Sequence, residues 1–395
     1  MLNFNSTFWL LTSIFLVGCT ERKTLPEQES QDSGLLDDQV NYPELPELDQ
    51  YINANLGELQ VPGLQAAVIK NGQVVWSKGY GLANTEEQRP VTTETAFMLA
   101  SISKTVTAVA IMQLHERDLF QLDDDINDYL DFSVDHPSGK PITFRQLLTH
   151  TSGIRDEGTV FSSLYEVGDA EMTLREFVFA YFDPTGEYYD VEANFHDWEP
   201  GGPYDYSNFA VALIGYLVER ISNQDFSQWC EEQVFEPLAM TQTGWHLRDF
   251  DEEMVANPHE QGAFGAGYVV VPHYGYPDYP DGQLRSSAQH MAKFLAMFAN
   301  GGVYDGVRVL QEETVSLMSS VSPMGDGQGF IWYQFSLDND TYMGHGGSDW
   351  GVGTRMGYRV SDGSGFIISL NAQPSSNSGF NDIQTELMSV VDNQL

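Results

Sequence analysis

The sequence predicts an α/β fold of the α+β type. One antiparallel sheet is built from both chain ends and flanked by helices, and a mostly helical lobe lies between the two halves. Three observations lead there. Near the start, "LQAAVIK" and "QVVWSKGYG" flank Asn71-Gly72, the preferred two-residue hairpin turn. Near the end, "GFIWYQFSL", "TYMGHGG", "GTRMGYRVS" and "GFIISLNA" follow one another as an antiparallel meander, separated by "DND", a glycine-rich stretch and "DGS". Between these ends, apolar residues recur at helical spacing. The expected sheet lobe covers about 46–100 and 303–395, and the helical lobe about 101–302.

The first residues, "MLNFNSTFWLLTSIFLVGC", read as an export signal over 1–18. Their apolar core, 8–17, is too short to span a bilayer as a helix. It ends in Leu16-Val17-Gly18-Cys19, which resembles the bacterial lipobox, although no Lys or Arg precedes the apolar core. The resemblance implies lipidation at Cys19 and a lipoprotein of the bacterial cell envelope, facing the periplasm or the exterior. A plain cleaved signal or a short uncleaved anchor are the alternatives. Residues 19–45 are polar, acidic and broken by Pro, the composition of a flexible tether. The catalytic domain is expected over 46–395. Cys19 and Cys230 are the two cysteines, so a lipidated Cys19 leaves no intrachain disulfide, and Cys230 reads as a packed apolar residue.

The chain carries 18 Lys plus Arg against 57 Asp plus Glu, a net charge of −39. Nucleic-acid binding needs a basic surface and is excluded as a partner class. The acidity fits solubility or a salty habitat, and a second reading is attraction of a cationic substrate. A small molecule or peptide, a membrane reached through the lipid anchor, and a monomeric state are the expected partner terms.

The first predicted helix covers 47–56, ahead of the hairpin. After "ETAFMLA" a helix covers 101–116, apolar nearly all round and therefore buried on most sides. Residues 155–199 are acidic and aromatic without a clean period, and read as irregular lobe and loop. "FAVALIGYLVERIS" follows Tyr206-Ser207-Asn208 as a further helix. In "SSAQHMAKFLAMFANGG", Ser286 and Gln289 suggest a capping box, Met291, Phe294, Leu295 and Phe298 keep the helical stripe, and Gly301 stops it. A last helix, 381–391, puts Ile383, Leu387 and Val391 on one face.

The chemistry starts from "ASISKT", residues 100–105. A lysine in the first turn of a buried helix opposes the helix dipole. Residues i and i+3 share a face, with Cβ atoms about 5–6 Å apart, so Ser101 and Lys104 can meet while Ser103 cannot face Lys104 in the same way. A serine hydroxyl needs a base to become a nucleophile. A lysine can act as that base where burial and the positive helix end lower its pKa. The dipole also favours the negative charge that develops near Ser101.

S-x-x-K alone is a weak signal; the order in which further motifs follow makes it specific. After Ser101-x-x-Lys104 come Tyr206-Ser207-Asn208 and His345-Gly346-Gly347. With "ITFRQLLTHTSGI", "EPGGPYDYSN", "VFEPLAMTQTGW" and "YPDGQLRSSAQHMAKFL", the sequence from about 47 to 390 resembles the serine β-lactamase and penicillin-binding superfamily. Within it the likeness is to the class C-like branch of lactamases, D,D-carboxypeptidases, D-aminopeptidases and esterases. The resemblance implies a β-lactamase/transpeptidase-like fold, with Ser101 as acylated nucleophile and Lys104 sharing its proton. It implies Tyr206 as base and then acid, with Asn208 positioning substrate and Lys104. His345 and Gly347 would position substrate, and the backbone N–H groups of Ser101 and Ser348 would form the oxyanion hole. His150, in "THTSG", matches a motif that is mainly structural in that superfamily.

The departure is His345-Gly346, which stands where the lactamase pattern has the Lys-Thr that holds a substrate carboxylate. A fixed cation and a hydroxyl are replaced by a group that ordinarily titrates near neutral pH and by no side chain. The reading is therefore a serine hydrolase of esters or D-amino-acid amides and peptides. β-Lactamase or penicillin-binding carboxypeptidase activity is the alternative, and a catalytically retired binding lipoprotein is the rival from another class. Ser348 lacks the last glycine of G-x-S-x-G, no H-E-x-x-H occurs, and nine scattered His form no metal pattern. No cofactor or metal is expected.

Overall fold

The computed structural model describes residues 42–262, 267–321 and 327–395. The export signal, Cys19 and most of the expected tether lie outside the described residues. Tyr42–Leu395 form one compact unit. The fold takes up the last residues of the segment read as tether: Leu45 is buried, and Glu44 pairs with Lys78 at 2.9 Å.

The first helix, α1 (Pro46–Leu59), buries Leu48, Ile52 and Leu59. β1 (Gly63–Lys70) and β2 (Gln73–Asn84) pair antiparallel, and a two-residue strand, β3 (Arg89–Pro90), adds beside β2. Asn71 and Gly72 have φ of 52° and 70°, as the two-residue turn requires. The chain end supplies β4 (Tyr333–Leu337), β5 (Asp340–Asp349), β6 (Val352–Arg359) and β7 (Gly365–Leu370). Strand order across the seven-stranded sheet is β4-β5-β6-β7-β1-β2-β3, so both chain ends build it, through the β7–β1 pairing.

Both sheet faces are covered. On β1, Leu64, Ala66 and Val68 join a core with α1 and the last helix, α5 (Asn377–Asn393). Ala67 and Ile69 point into the larger core instead. This alternation is the period of two of a strand, here with both faces apolar. The helix α4 (Ala288–Ala299) packs on β1, β2 and β7, so the sheet layer includes a helix assigned by sequence to the helical lobe. Its N-cap is Ser287, whose hydroxyl accepts from the His290 N–H. The expected Ser286–Gln289 capping box is not formed. Ser286 is held in a short strand beside Phe97–Met98 and bonds Thr243, and Gln289 bonds Glu94.

In the helical lobe, α2 (Ser103–Glu116) is preceded by a 3₁₀ turn, Ala100–Ile102. It packs on α3 (Asn208–Ser222), which is buried from Phe209 to Val218. The stretch read as irregular contains a nine-residue helix, Leu174–Phe182, closed by a Thr173–Glu176 capping box. Free Cys230 is buried.

Candidate active site

Three elements converge on Ser101. The first is its own 3₁₀ turn, entered through Ala100 at φ of 47°, a left-handed conformation rare for a residue with a side chain. Thr354 on β6 holds the turn by donating to the Leu99 carbonyl at 2.8 Å. Ser103, the second hydroxyl of the motif, is structural: it donates to the Ala100 carbonyl at 2.6 Å and accepts from the Leu284 N–H at 3.1 Å.

The second element is β5, which runs past this turn. A Cβ on Gly347 would lie 2.3 Å from the Leu99 oxygen and 2.3 Å from Thr354 Oγ1, so glycine is required for the approach. The approach brings His345, Gly347 and Ser348 to the cavity wall that also contains Ser101.

The third element is the start of α3. Ser207 caps it, accepting from the Ala210 N–H at 3.0 Å. Asp156, which sequence reasoning did not single out, completes the helix N-terminus. Its carboxylate accepts from the Asn208 N–H at 2.8 Å, the Asn208 amide at 2.9 Å, the Ser207 hydroxyl at 2.8 Å and the Phe209 N–H at 3.1 Å. An anion there is favoured by the helix dipole. The Asn208 amide is thus committed to Asp156 and makes no bond to Lys104 among the described residues, contrary to the Lys104 half of its expected role, while Asn208 still lines a cavity with Ser101.

Lys104 Nζ donates to Ser101 Oγ at 3.1 Å and to the Asp281 carbonyl at 2.7 Å. The Asp281 carboxylate lies 3.7 Å from it, and the Tyr206 ring centroid 5.0 Å. Tyr206 interacts with both Lys104 and Ser101. Burial pulls the Lys104 pKa down, but Tyr206 and Asp281 push it up further, and the net direction is upward. Lys104 therefore stands as a held cation, which corrects the expectation of a lysine made basic by burial. Burial raises Tyr206, and the ammonium offsets only part of this, so its net direction is also upward. Asp281 is buried, which raises its carboxyl, and the ammonium restrains the rise to about 6.

His345 is buried, with Nδ1 2.6 Å from the Gly346 carbonyl. A carbonyl only accepts, so Nδ1 carries the proton and Nε2 is an acceptor. Burial, then the nearby Lys104, lowers its pKa to about 3. His345 is thus neutral across the physiological range, where the sequence suggested a group titrating near pH 7. His150 packs its ring on Tyr206 at 4.6 Å and accepts from the Ser207 N–H at 3.2 Å, a supporting position.

The structure returns a cation to this wall from another strand. Arg355 lies opposite Gly346 in the β5–β6 register and lines the cavity of about 620 Å³ that contains Ser101 and His345. Its guanidinium donates to the Tyr333 hydroxyl at 3.0 Å and stacks over Phe335 at 4.0 Å. A Cβ on Gly346 would sit 3.0 Å from its Nη1, so the glycine lets the guanidinium rest here without the shift of a few tenths of an ångström that a side chain would impose. Counting back from the turn at Gly351 would have paired these two residues from sequence. A second cavity, of about 530 Å³, shares Ser101, Tyr206 and Ser348 with the first and adds Tyr165, Tyr276, Asp281 and Asp349. Among the described residues no His, Cys, Asp or Glu group is arranged to hold a metal ion.

A beta-lactamase family model matches residues 48–387. The chain is 24% identical over 306 residues to "Beta-lactamase-like protein 2" of Dictyostelium discoideum, covering 74% of this chain and 52% of that protein. It is 23% identical over 305 residues to "Protein flp" of Staphylococcus aureus, covering 76% of this chain and 58% of that protein. The chain thus spans about half the length of these curated relatives. Its fold is similar to that of the D-amino acid amidase of Ochrobactrum anthropi, with TM-score 0.72, 21% identity, and coverage of 88% of this chain and 99% of that one. It is also similar to the octameric penicillin-binding protein homologue of Pyrococcus abyssi, with TM-score 0.68, 24% identity, and coverage of 87% and 76%.

Proposed function

The chain belongs to the beta-lactamase family, and from that premise we propose that it is a serine hydrolase working through an acyl-enzyme on Ser101, with esters or D-amino-acid amides and peptides as substrates. The observation that carries this reading is the 3.1 Å contact of Lys104 Nζ with Ser101 Oγ at the wall of an open cavity, beside Tyr206. In the fraction of molecules whose Tyr206–Lys104 pair has already lost one proton, Ser101 Oγ bonds the substrate carbonyl carbon while its own proton passes to the pair. The pair returns the proton to the departing alcohol or amine, and water then releases the acid from Ser101 by the same route. The oxyanion rests between the Ser101 and Ser348 N–H groups; losing one such donor costs on the order of 10²–10³ in rate. Lys104, held charged by Asp281, keeps the pair polarised, and pair-level titration governs activity.

The β-lactam alternative keeps one specific support. Arg355 supplies a cation where His345 does not, so an anionic carboxylate can still be held at this wall. Kinetics with p-nitrophenyl butyrate, amino-acid anilides and nitrocefin, each divided by its uncatalysed rate and each run with Ser101→Ala, test the proposal. Ser101-dependent turnover of esters or anilides above nitrocefin is the expected result. Nitrocefin leading the set would transfer the assignment to β-lactam hydrolysis, and no Ser101-dependent turnover would remove the hydrolase reading.

We propose further that Cys19 carries a lipid and that the catalytic unit works as a monomer at the cell envelope. The Leu16-Val17-Gly18-Cys19 sequence supports the anchor. Cys19→Ala is expected to move the protein from the membrane to the soluble fraction or to block its processing. Wild type that fractionates as soluble protein without lipid mass would refute the anchor.

A further inference from the structure

The second cavity beside Ser101 has a wall that the hydrolytic step does not use. Asp349 ends β5, one residue after Ser348, and lines this cavity. Its Oδ1 accepts from the Tyr165 hydroxyl at 2.8 Å and the Trp350 N–H at 2.7 Å, and its Oδ2 from the Tyr276 hydroxyl at 3.1 Å. The Tyr274 hydroxyl also reaches this carboxylate, while donating to the Trp350 carbonyl at 2.8 Å. No Lys, Arg or His pairs with Asp349 among the described residues; burial raises its pKa, and hydrogen bonds from the tyrosines and the Trp350 N–H, not a cation, offset part of the rise. A carboxylate drawn from water without a counter-charge is costly.

The surroundings are aromatic. Tyr165 and Tyr276 lie 5.2 Å apart between ring centroids, and Trp350 stacks on Tyr274 at 5.8 Å, with Tyr274 5.4 Å from Tyr165. Tyr165, Tyr276, Trp350 and Phe161 all line the cavity. Ring faces beside a carboxylate attract a cation both through the quadrupole and through the charge. Arg355 stands in the neighbouring cavity, so the cleft is polarised, with Ser101 at the junction of a positive and a negative end. The net charge of −39 adds a field that draws cations toward the protein.

We propose that this cavity is the subsite for a protonated amine on the substrate, with Asp349 as its counter-ion and Tyr165, Tyr276 and Trp350 as its walls. The inference rests on the acyl-enzyme reading and narrows it. Acyl substrates bearing an ammonium group are preferred over neutral ones of the same shape.

Alanine p-nitroanilide, in both enantiomers, and isobutyryl p-nitroanilide differ by an ammonium in place of a methyl group. At pH 7, after division by uncatalysed rates, one alanine enantiomer should exceed the isobutyryl compound in kcat/KM by about 10- to 150-fold, the range of a charge-assisted hydrogen bond. In Asp349→Asn that ratio should fall at least tenfold. A wild-type ratio at or below one, or a ratio unchanged in Asp349→Asn, overturns the subsite. A second measurement needs no variant and no turnover: protection of Ser101 against a fluorophosphonate by benzylamine and by benzyl alcohol. Benzylamine protecting at least tenfold better supports the subsite, and equal protection overturns it. Absence of any Ser101 labelling would instead remove the acyl-enzyme reading itself, so the two failures are distinguishable.

Discussion

At the scale of single residues, the candidate nucleophile sits in a charge network that sets its working pH. Both Lys104 and Tyr206 have pKa values displaced upward, so the pair gives up the proton that makes it basic only above its ordinary range. We predict that kcat/KM for a neutral ester climbs with pH through 7–9 after correction for spontaneous hydrolysis; a profile falling over that span contradicts the network. His345, already neutral above about pH 3, contributes nothing to that limb. Asp281 does, because its anion stabilises the Lys104 ammonium. Asp281→Asn should therefore shift the limb to lower pH, and a shift upward would mean that Asp281 acts otherwise. The sign for stability differs. The Asp281 carboxyl, raised to about 6 in the fold, favours folding when protonated, and this contribution is lost as pH rises through about 6. Asp281→Asn should accordingly gain stability relative to wild type between pH 5 and pH 8, which thermal melts at both values would show.

At the scale of elements, the site depends on how closely β5 can approach the turn before α2. Gly347→Ala would push a methyl group against Leu99 and Thr354, and overpacking of this kind costs about 1–3 kcal/mol. We predict that loss in urea unfolding, together with loss of activity; a variant of wild-type stability would mean that the approach is looser than described. Most of the elements were legible in the sequence because their signals are local. Asn71-Gly72 marks its hairpin by turn chemistry, and α3 is marked by an apolar run behind Ser207. Ser101 and Lys104 meet because the i, i+3 spacing holds through the 3₁₀ turn into α2. What was missed depends on partners distant in sequence. Ser286 looked like a cap, but a neighbouring strand claims it. The helix Leu174–Phe182 was hidden by aromatic residues that blur its period, although its Thr-x-x-Glu box was present. Asp156 and Arg355 reach the site from segments with no motif of their own, and Asp281 from a stretch quoted for its likeness and not for its charge; Lys104's raised pKa follows from Tyr206 first and then from Asp281 and Asp156, against its burial.

At the scale of the whole molecule, charge and architecture act together. A net charge of −39 repels itself in the compact state, and salt screens such repulsion over a Debye length of about 10 Å at 0.1 M. Melting temperature is expected to rise between about 0.01 M and 0.5 M NaCl, and a fall would show that surface ion pairs outweigh the repulsion. The sheet joins both chain ends while the helical lobe carries Lys104 and Tyr206, so the reacting group sits where the two meet. The most direct test of this arrangement is mass spectrometry of the intact protein after treatment with a fluorophosphonate, followed by peptide mapping. The account predicts one adduct, placed on Ser101 and absent from Ser101→Ala. An adduct on any other residue, or an unmodified protein under conditions that label other serine hydrolases, would contradict it.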